Sequence, residues 1–166
     1  MELVGTLNYP TTMTKLECRL HVSKLSKYLR KWGKEHWDKA IKILMCCITS
    51  KKIGLIYSRS LVEHGVNILY DADSDFSPDR SDGCRYMMTN GAVTSGTAKQ
   101  HPTVGDSSTV AKLTECKYAA DGAVAFRGFL GELGFELDEP SIIYQDNQPA
   151  IMIQIKAHAD QMREAI

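Results

Sequence analysis

The stretch Val66-Asn67-Ile68-Leu69-Tyr70-Asp71-Ala72-Asp73 constrains this chain more than any other, because an apolar run there ends in carboxylates. Val, Ile, Leu and Tyr favour a pleated, covered environment, so residues 66–70 read as a buried strand. Asp71, Asp73 and Asp75 follow it at alternate positions. Two readings stand at this point. The carboxylates belong to a solvated acidic turn, or they sit at the rim of an α/β sheet and hold a hard divalent cation, which prefers oxygen ligands. A second strand-then-Asp unit, Ile142-Ile143-Tyr144-Gln145-Asp146-Asn147, favours the metal reading.

A chain of 166 residues accommodates one ordinary domain, or a domain with a helical appendage. Hydrophobic residues at 43% and charged residues at 24% are the proportions of a soluble globular protein. No apolar run approaches the ~18 residues of a membrane span, and the N-terminus lacks a signal-peptide pattern. The expectation is an intracellular protein, cytoplasmic or nuclear, with no membrane partner. Five cysteines with no C-x-x-C pair argue against a disulfide framework and a zinc site, and for a reducing compartment.

The net charge of zero hides an asymmetry. Residues 15–52 hold eleven Lys/Arg against three acids, a balance of +8 that leaves −8 elsewhere. A basic segment beside an acidic one fits a polyanion held by the first and metal held by the second; two helices with ordinary solvated faces would look the same.

Thr14-Lys15-Leu16-Glu17 fits a capping box, and Leu16, Leu20, Leu25 and Leu29 lie near one stripe, predicting a helix over 13–32. A second helix is predicted from Lys34 to Thr49, and the short link through Gly33 makes the pair a helical hairpin. Ile53, Leu55 and Tyr57 alternate as a short strand, and the polar residues 58–65 read as a linker. Arg85–Thr89 and Ala92–Ser95 form a hairpin through Asn90-Gly91, the strongest short hairpin signal. A polar loop over 98–107 precedes a long helix capped by Ser108 or Thr109 and ended by Gly134. A strand over 141–145 and a helix starting near Pro149 complete an α/β layout.

Several stretches together resemble copia-type LTR retrotransposon polyproteins. Leu3-Val4-Gly5-Thr6-Leu7-Asn8-Tyr9, Gly33-Lys34-Glu35-His36-Trp37 and Gly54-Leu55-Ile56-Tyr57-Ser58 are similar to segments at the end of the reverse transcriptase. Asp71-Ala72-Asp73, Ser107-Ser108-Thr109, Glu132-Leu133-Gly134-Phe135 and Tyr144-Gln145-Asp146-Asn147-Gln148-Pro149-Ala150-Ile151 resemble motifs of the following RNase H-like domain, in the same order. The resemblance implies two parts: reverse transcriptase C-terminal or connection helices over 1–58, and a C-terminally shortened RNase H-like domain over 66–166. It also implies an RNase H-like mixed sheet flanked by helices, preceded by the helical hairpin. The implied activity is cleavage of the RNA strand of an RNA/DNA hybrid with Mg²⁺ or Mn²⁺. Two metals about 3.5–4 Å apart activate a water and stabilise the leaving oxygen. The implied partners are the hybrid or another nucleic acid and the remainder of the reverse transcriptase polyprotein.

Carried over by residue, Asp71 and Asp146 match the metal-holding catalytic carboxylates, and Asp160, in His158-Ala159-Asp160, matches the last one. The family's helical catalytic Glu falls on Lys112, a degenerate position. At ~4 Å and an effective dielectric near 20, a unit-charge pair interacts by roughly 4 kcal/mol, and a divalent ion roughly doubles that. Lys in place of Glu removes this attraction and adds a repulsion, unless its stem swings the ammonium into solvent or Glu115, one turn on, substitutes. A degenerate copy is therefore expected, and one that begins inside a longer polyprotein. The alternative is a non-catalytic fragment of the same fold that binds nucleic acid through Lys27, Arg30, Lys31 and Lys34. A flavodoxin-like small-molecule enzyme is disfavoured, because no glycine-rich phosphate loop follows the first strand. Arg85 is expected to sit awkwardly on a core face, His36 to be structural, and His64 and His101 to be solvated loop residues.

Overall fold

The computed structural model describes residues 2–58, 68–102, 104–135, 137 and 139–164, with 159–164 described by backbone alone. The predicted boundary over 58–65 falls almost wholly outside the described residues, as does His64.

Three helices come first: α1 (Glu2–Met13), α2 (Arg19–Ser26) and α3 (Lys34–Thr49). Val4 and Leu7 of α1 pack with Val22 and Leu25 of α2 and with Ala40 and Ile43 of α3. Helix α3 has the predicted limits and packs on α2 as the second arm of a hairpin, but α2 ends at Ser26, so the link runs over 27–33 and Gly33 caps the start of α3 rather than ending α2. The helix expected over 13–32 is broken. Thr14 ends α1 instead of capping a new helix, its N–H bonding back to the Pro10 carbonyl at 2.9 Å. Lys15 is non-helical, with φ −115° and ψ 54°. Its buried ammonium bonds to the carbonyl of Ser50 and, at 2.6 Å, to that of Ile53. Lys15 thus ties down the C-cap carbonyl of α3 and the Ile53 carbonyl in the turn beyond it, a stronger local demand than helix continuity. Ile53, Leu55 and Tyr57 form no strand; Ser58 N–H donates to Asn90 at 3.2 Å and the Tyr57 hydroxyl to Val93 O at 3.0 Å, tying this stretch to the hairpin as an extended strap.

The sheet has β1 (Ile68–Asp75), β2 (Asp82–Thr89), β3 (Ala92–Gln100) and β4 (Ile142–Tyr144) in the order β3-β2-β1-β4. The first three are antiparallel neighbours, and β4 runs parallel to β1 through the crossover helix α4 (Ser108–Glu132). A four-stranded mixed sheet flanked by helices is the RNase H-like layout expected. The β2–β3 turn uses Asn90 at φ 53° and Gly91 at φ 82°, both in the left-handed region a two-residue hairpin needs. Ser107, not Ser108 or Thr109, caps α4, accepting from Val110 N at 3.2 Å. Gly134 at φ 83° ends it. Strand β1 does not leave the core at Asp71 but continues through the carboxylates to Asp75, and β3 continues to Gln100. Helix α5 (Gln148–Glu164) closes the chain.

Alternation along β1 sets the site. Ile68, Tyr70 and Ala72 are buried against Cys116, Ala119 and Ala123 of α4. Asp71, Asp73 and Asp75 therefore share the opposite face with Tyr86 and Cys84, their neighbours in register on β2. The N-terminal helices dock on that face. Tyr86 donates to Leu16 O at 2.9 Å, Ser23 to Ala98 O at 3.1 Å, and a Cβ at Gly96 would stand 2.9 Å from Leu16 Cδ2.

Candidate functional site

Strands β1 and β4 are parallel neighbours paired only over Leu69–Asp71 and Ile142–Tyr144. Beyond Asp71 the edge of β1 is open, and Asp146 follows β4 into the same gap. Lys112, in the first turns of α4, reaches into it. Its ammonium lies 2.7 Å from Asp73 Oδ1 and also bonds to Asp146 Oδ1. The lysine side chain is 14% exposed, whereas the carboxylates are 62% and 72% exposed. The loop after β4 is pinned by Gln145, which accepts from Asp146 N at 2.9 Å and from Asn147 N at 3.2 Å while its amide reaches Cys116 Sγ at 3.1 Å.

The charges respond to this geometry. The hydrogen bond from Lys112 holds the Asp73 carboxyl below the ordinary carboxylate range, more than burial raises it. Burial pulls the Lys112 ammonium down, but Asp146 and Asp73 more than offset that, so it stays charged above the ordinary lysine range. Lysine has not escaped into solvent here. It occupies the point on which two carboxylates converge.

Asp71 is exposed, aligned with Tyr144 and Tyr86, and makes no side-chain hydrogen bond or ion pair among the described residues. Lys112 thus brings Asp146 together with Asp73 rather than with Asp71. The alternation of acids on β1 contained that possibility, but nothing in the sequence ranked Asp73 above its neighbour. Asp160 belongs to α5, and its side chain lies outside the described residues. Among the basic candidates, Lys27 pairs with Asp82 at 2.6 Å. Arg30, Lys31 and Lys34 are exposed and make no ion pair among the described residues.

Glu115 cannot stand in for the missing helical carboxylate. It is 1% exposed, on the inner side of α4, with its Oε1 2.6 Å from Arg85 Nη1 and its Oε2 2.8 Å from His101 Nε2. Arg85 is therefore a satisfied, half-buried cation, its guanidinium 5.3 Å from the centre of the Tyr118 ring. His101 is buried rather than solvated, its backbone N–H donating to Ser81 O at 2.8 Å. His36 is structural as expected, its Nδ1 accepting the Gly33 N–H at 3.1 Å.

Among the described residues no three His, Cys, Asp or Glu side chains form a set able to hold a metal ion. A divalent cation placed between Asp73 and Asp146 would meet the Lys112 ammonium. The residues present do not fit the metal pair that the resemblance implies.

No family model matches the chain, and no solved structure matches it. The chain is similar to the retrovirus-related Pol polyprotein from transposon RE2 of Arabidopsis thaliana, 25% identical over 152 residues. The match covers 87% of this chain and 10% of that polyprotein, so the chain spans about a tenth of its length and is similar to a segment of a retrotransposon polyprotein.

Proposed function

We propose that this chain is the reverse transcriptase–RNase H junction of a copia-type polyprotein, carrying an RNase H-like domain whose cutting site is closed. The ancestral reaction is hydrolysis of the RNA strand of an RNA/DNA hybrid. One observation carries the reading: Asp73 of β1 and Asp146, two residues past the end of the adjacent parallel strand β4, converge on the Lys112 ammonium at the helix position where a third carboxylate is expected. Lys112 neutralises part of the acidic rim and takes the space a cation needs, so no hydrolytic step runs through metal in the natural chain. The fold is kept while the chemistry is lost.

The test is cleavage of a labelled RNA/DNA hybrid in Mg²⁺ or Mn²⁺ by the natural protein and by Lys112→Glu. The natural protein is expected to leave the hybrid intact and the variant to cut it. Cleavage by the natural protein that Asp71→Asn abolishes would overturn the closed-site reading.

A second reading, nucleic-acid binding without catalysis, draws on the exposed Arg30, Lys31 and Lys34, which make no ion pair among the described residues. Phosphate contacts release counterions, so replacing all three by Ala should lower the salt dependence of hybrid binding, by a slope of up to ~3 in log K against log salt. An unchanged slope counts against this surface. Lys27 is excluded from that set because Asp82 already engages it.

A further inference from the structure

Between α2 and α3 lies a cleft of about 620 Å³, within the ~300–1,000 Å³ typical of small-molecule sites. Its floor is apolar, with Leu25 from α2 and Ile43 from α3. One wall is aromatic: Tyr28 lies against His36 with ring centres 4.4 Å apart and planes tilted by 33°, and Trp32 lies 5.7 Å from the same imidazole. Because His36 Nδ1 accepts the Gly33 N–H, the ring proton of the neutral imidazole resides on Nε2, adding a donor to a ring that lines the cleft.

The rim is cationic, and its cations are of two kinds. Lys24 and Lys27 are engaged by the sheet, Lys24 at 3.0 Å from Asp75 and Lys27 at 2.6 Å from Asp82. Lys39 and Lys42 on α3 are exposed and make no ion pair among the described residues. At i,i+3 spacing they share one helix face, with Cβ atoms ~5–6 Å apart, so two ammoniums can close on one oxyanion. Of the two acids on the lining, Glu17 and Asp82, the second is already neutralised by Lys27. The cleft is thus an apolar slot with one aromatic wall, rimmed by Glu17 and by two lysines that make no ion pair among the described residues. An apolar peptide would leave Lys39 and Lys42 unanswered, and a bare phosphate would leave the slot empty.

We propose that this cleft binds a nucleoside phosphate, with the base along the Tyr28–His36 wall over Leu25 and Ile43 and the phosphate between Lys39 and Lys42. A free mononucleotide and the 5′-phosphorylated end of a single strand present the same chemistry. The inference does not depend on the fate of the Lys112 site, none of whose three residues lines the cleft.

Calorimetric titration of the full chain tests it, with adenosine 5′-monophosphate, adenosine, inorganic phosphate and a dinucleotide with and without a 5′-phosphate. The mononucleotide should bind saturably, and adenosine and phosphate each about tenfold or more weaker, the scale of one charge-assisted contact. Lys39→Ala/Lys42→Ala should weaken the mononucleotide about tenfold without moving the thermal midpoint, since both side chains are solvent-exposed. Tyr28→Ala should weaken adenosine as well. A phosphorylated dinucleotide that binds more tightly than the mononucleotide assigns the site to strand ends, and the reverse order assigns it to free nucleotides. No saturable mononucleotide binding, equal binding of adenosine, or a double variant that binds like the natural protein would overturn the proposal.

Discussion

Helix α4 carries two cation–carboxylate clusters less than one turn apart, and their surroundings give them opposite weights. At residue 115 a glutamate inside the fold, 1% exposed, joins Arg85 and His101. At residue 112 a lysine joins Asp73 and Asp146 at the rim, where those carboxylates are 62% and 72% exposed. The bonds are equally short in kind. Inside, Glu115 and His101 are closed to water and only Arg85 is partly exposed, so the carboxylate's partners depend on it. At the rim, water can take over at once, and ion pairing adds little to stability. Position on the helix therefore separates a structural cluster from one free to change with function.

The largest effect should come from Glu115→Ala, which strands Arg85 and His101 without their carboxylate. The expected loss is ~3–5 kcal/mol in urea or thermal unfolding. A loss under ~1 kcal/mol would erase the distinction between the clusters.

Gly83→Ala sharpens the same point. An added Cβ would stand 2.0 Å from Glu115 Oε2 and 2.4 Å from His101 Nε2, so the cluster must move to admit it. A cost of ~1–3 kcal/mol is expected from such overpacking. In a Glu115→Ala background the clash with the carboxylate is gone and only His101, released from its partner, must shift, so the two changes should be non-additive. Strict additivity would mean that Gly83 matters for a reason unrelated to the cluster.

Much of this architecture was legible in the sequence, for identifiable reasons. Asn90-Gly91 specified its hairpin because few residue pairs accept two consecutive positive φ values, and Gly134 specified the end of α4 in the same way. Helix α3 was legible from its amphipathic pattern. Helix α1 was missed: Gly5, Pro10 and its threonines are weak helix formers, and only Val4, Leu7 and Thr11, at helical spacing, mark its buried side. Lys15 reads as a solvated helix residue until its carbonyl partners at Ser50 and Ile53 are known. Arg85 and His101 failed similarly, since their partner Glu115 is distant in sequence on a helix whose inner face cannot be ranked from periodicity alone. At the rim, the strand-then-Asp pattern located the right region. Choosing Asp73 over Asp71 as the partner of Lys112 required knowing where β4 stops.

Lys112→Met is the mildest perturbation and the one that best separates the two clusters, because its signature lies in pH rather than in magnitude. At neutral pH the loss should be ~0–1 kcal/mol, because both carboxylates are exposed and water can replace the ammonium beside them. The Asp73 carboxyl is held below its ordinary 3.8 by Lys112, so its contribution is complete above that value and disappears as pH falls through the lower folded one. The Lys112 ammonium is held above its ordinary 10.5, so its contribution is complete below that value and disappears as pH rises through the higher folded one. Both limbs belong to one interaction, and Lys112→Met should flatten both while leaving the Glu115 cluster intact. Urea unfolding of the natural protein and the variant at acid, neutral and alkaline pH reads this directly. The two stability curves should converge at both extremes and differ only slightly between them. A variant that loses as much at neutral pH as Glu115→Ala would place Lys112 among the structural cations, and the rim could no longer be regarded as free to change without cost to the fold.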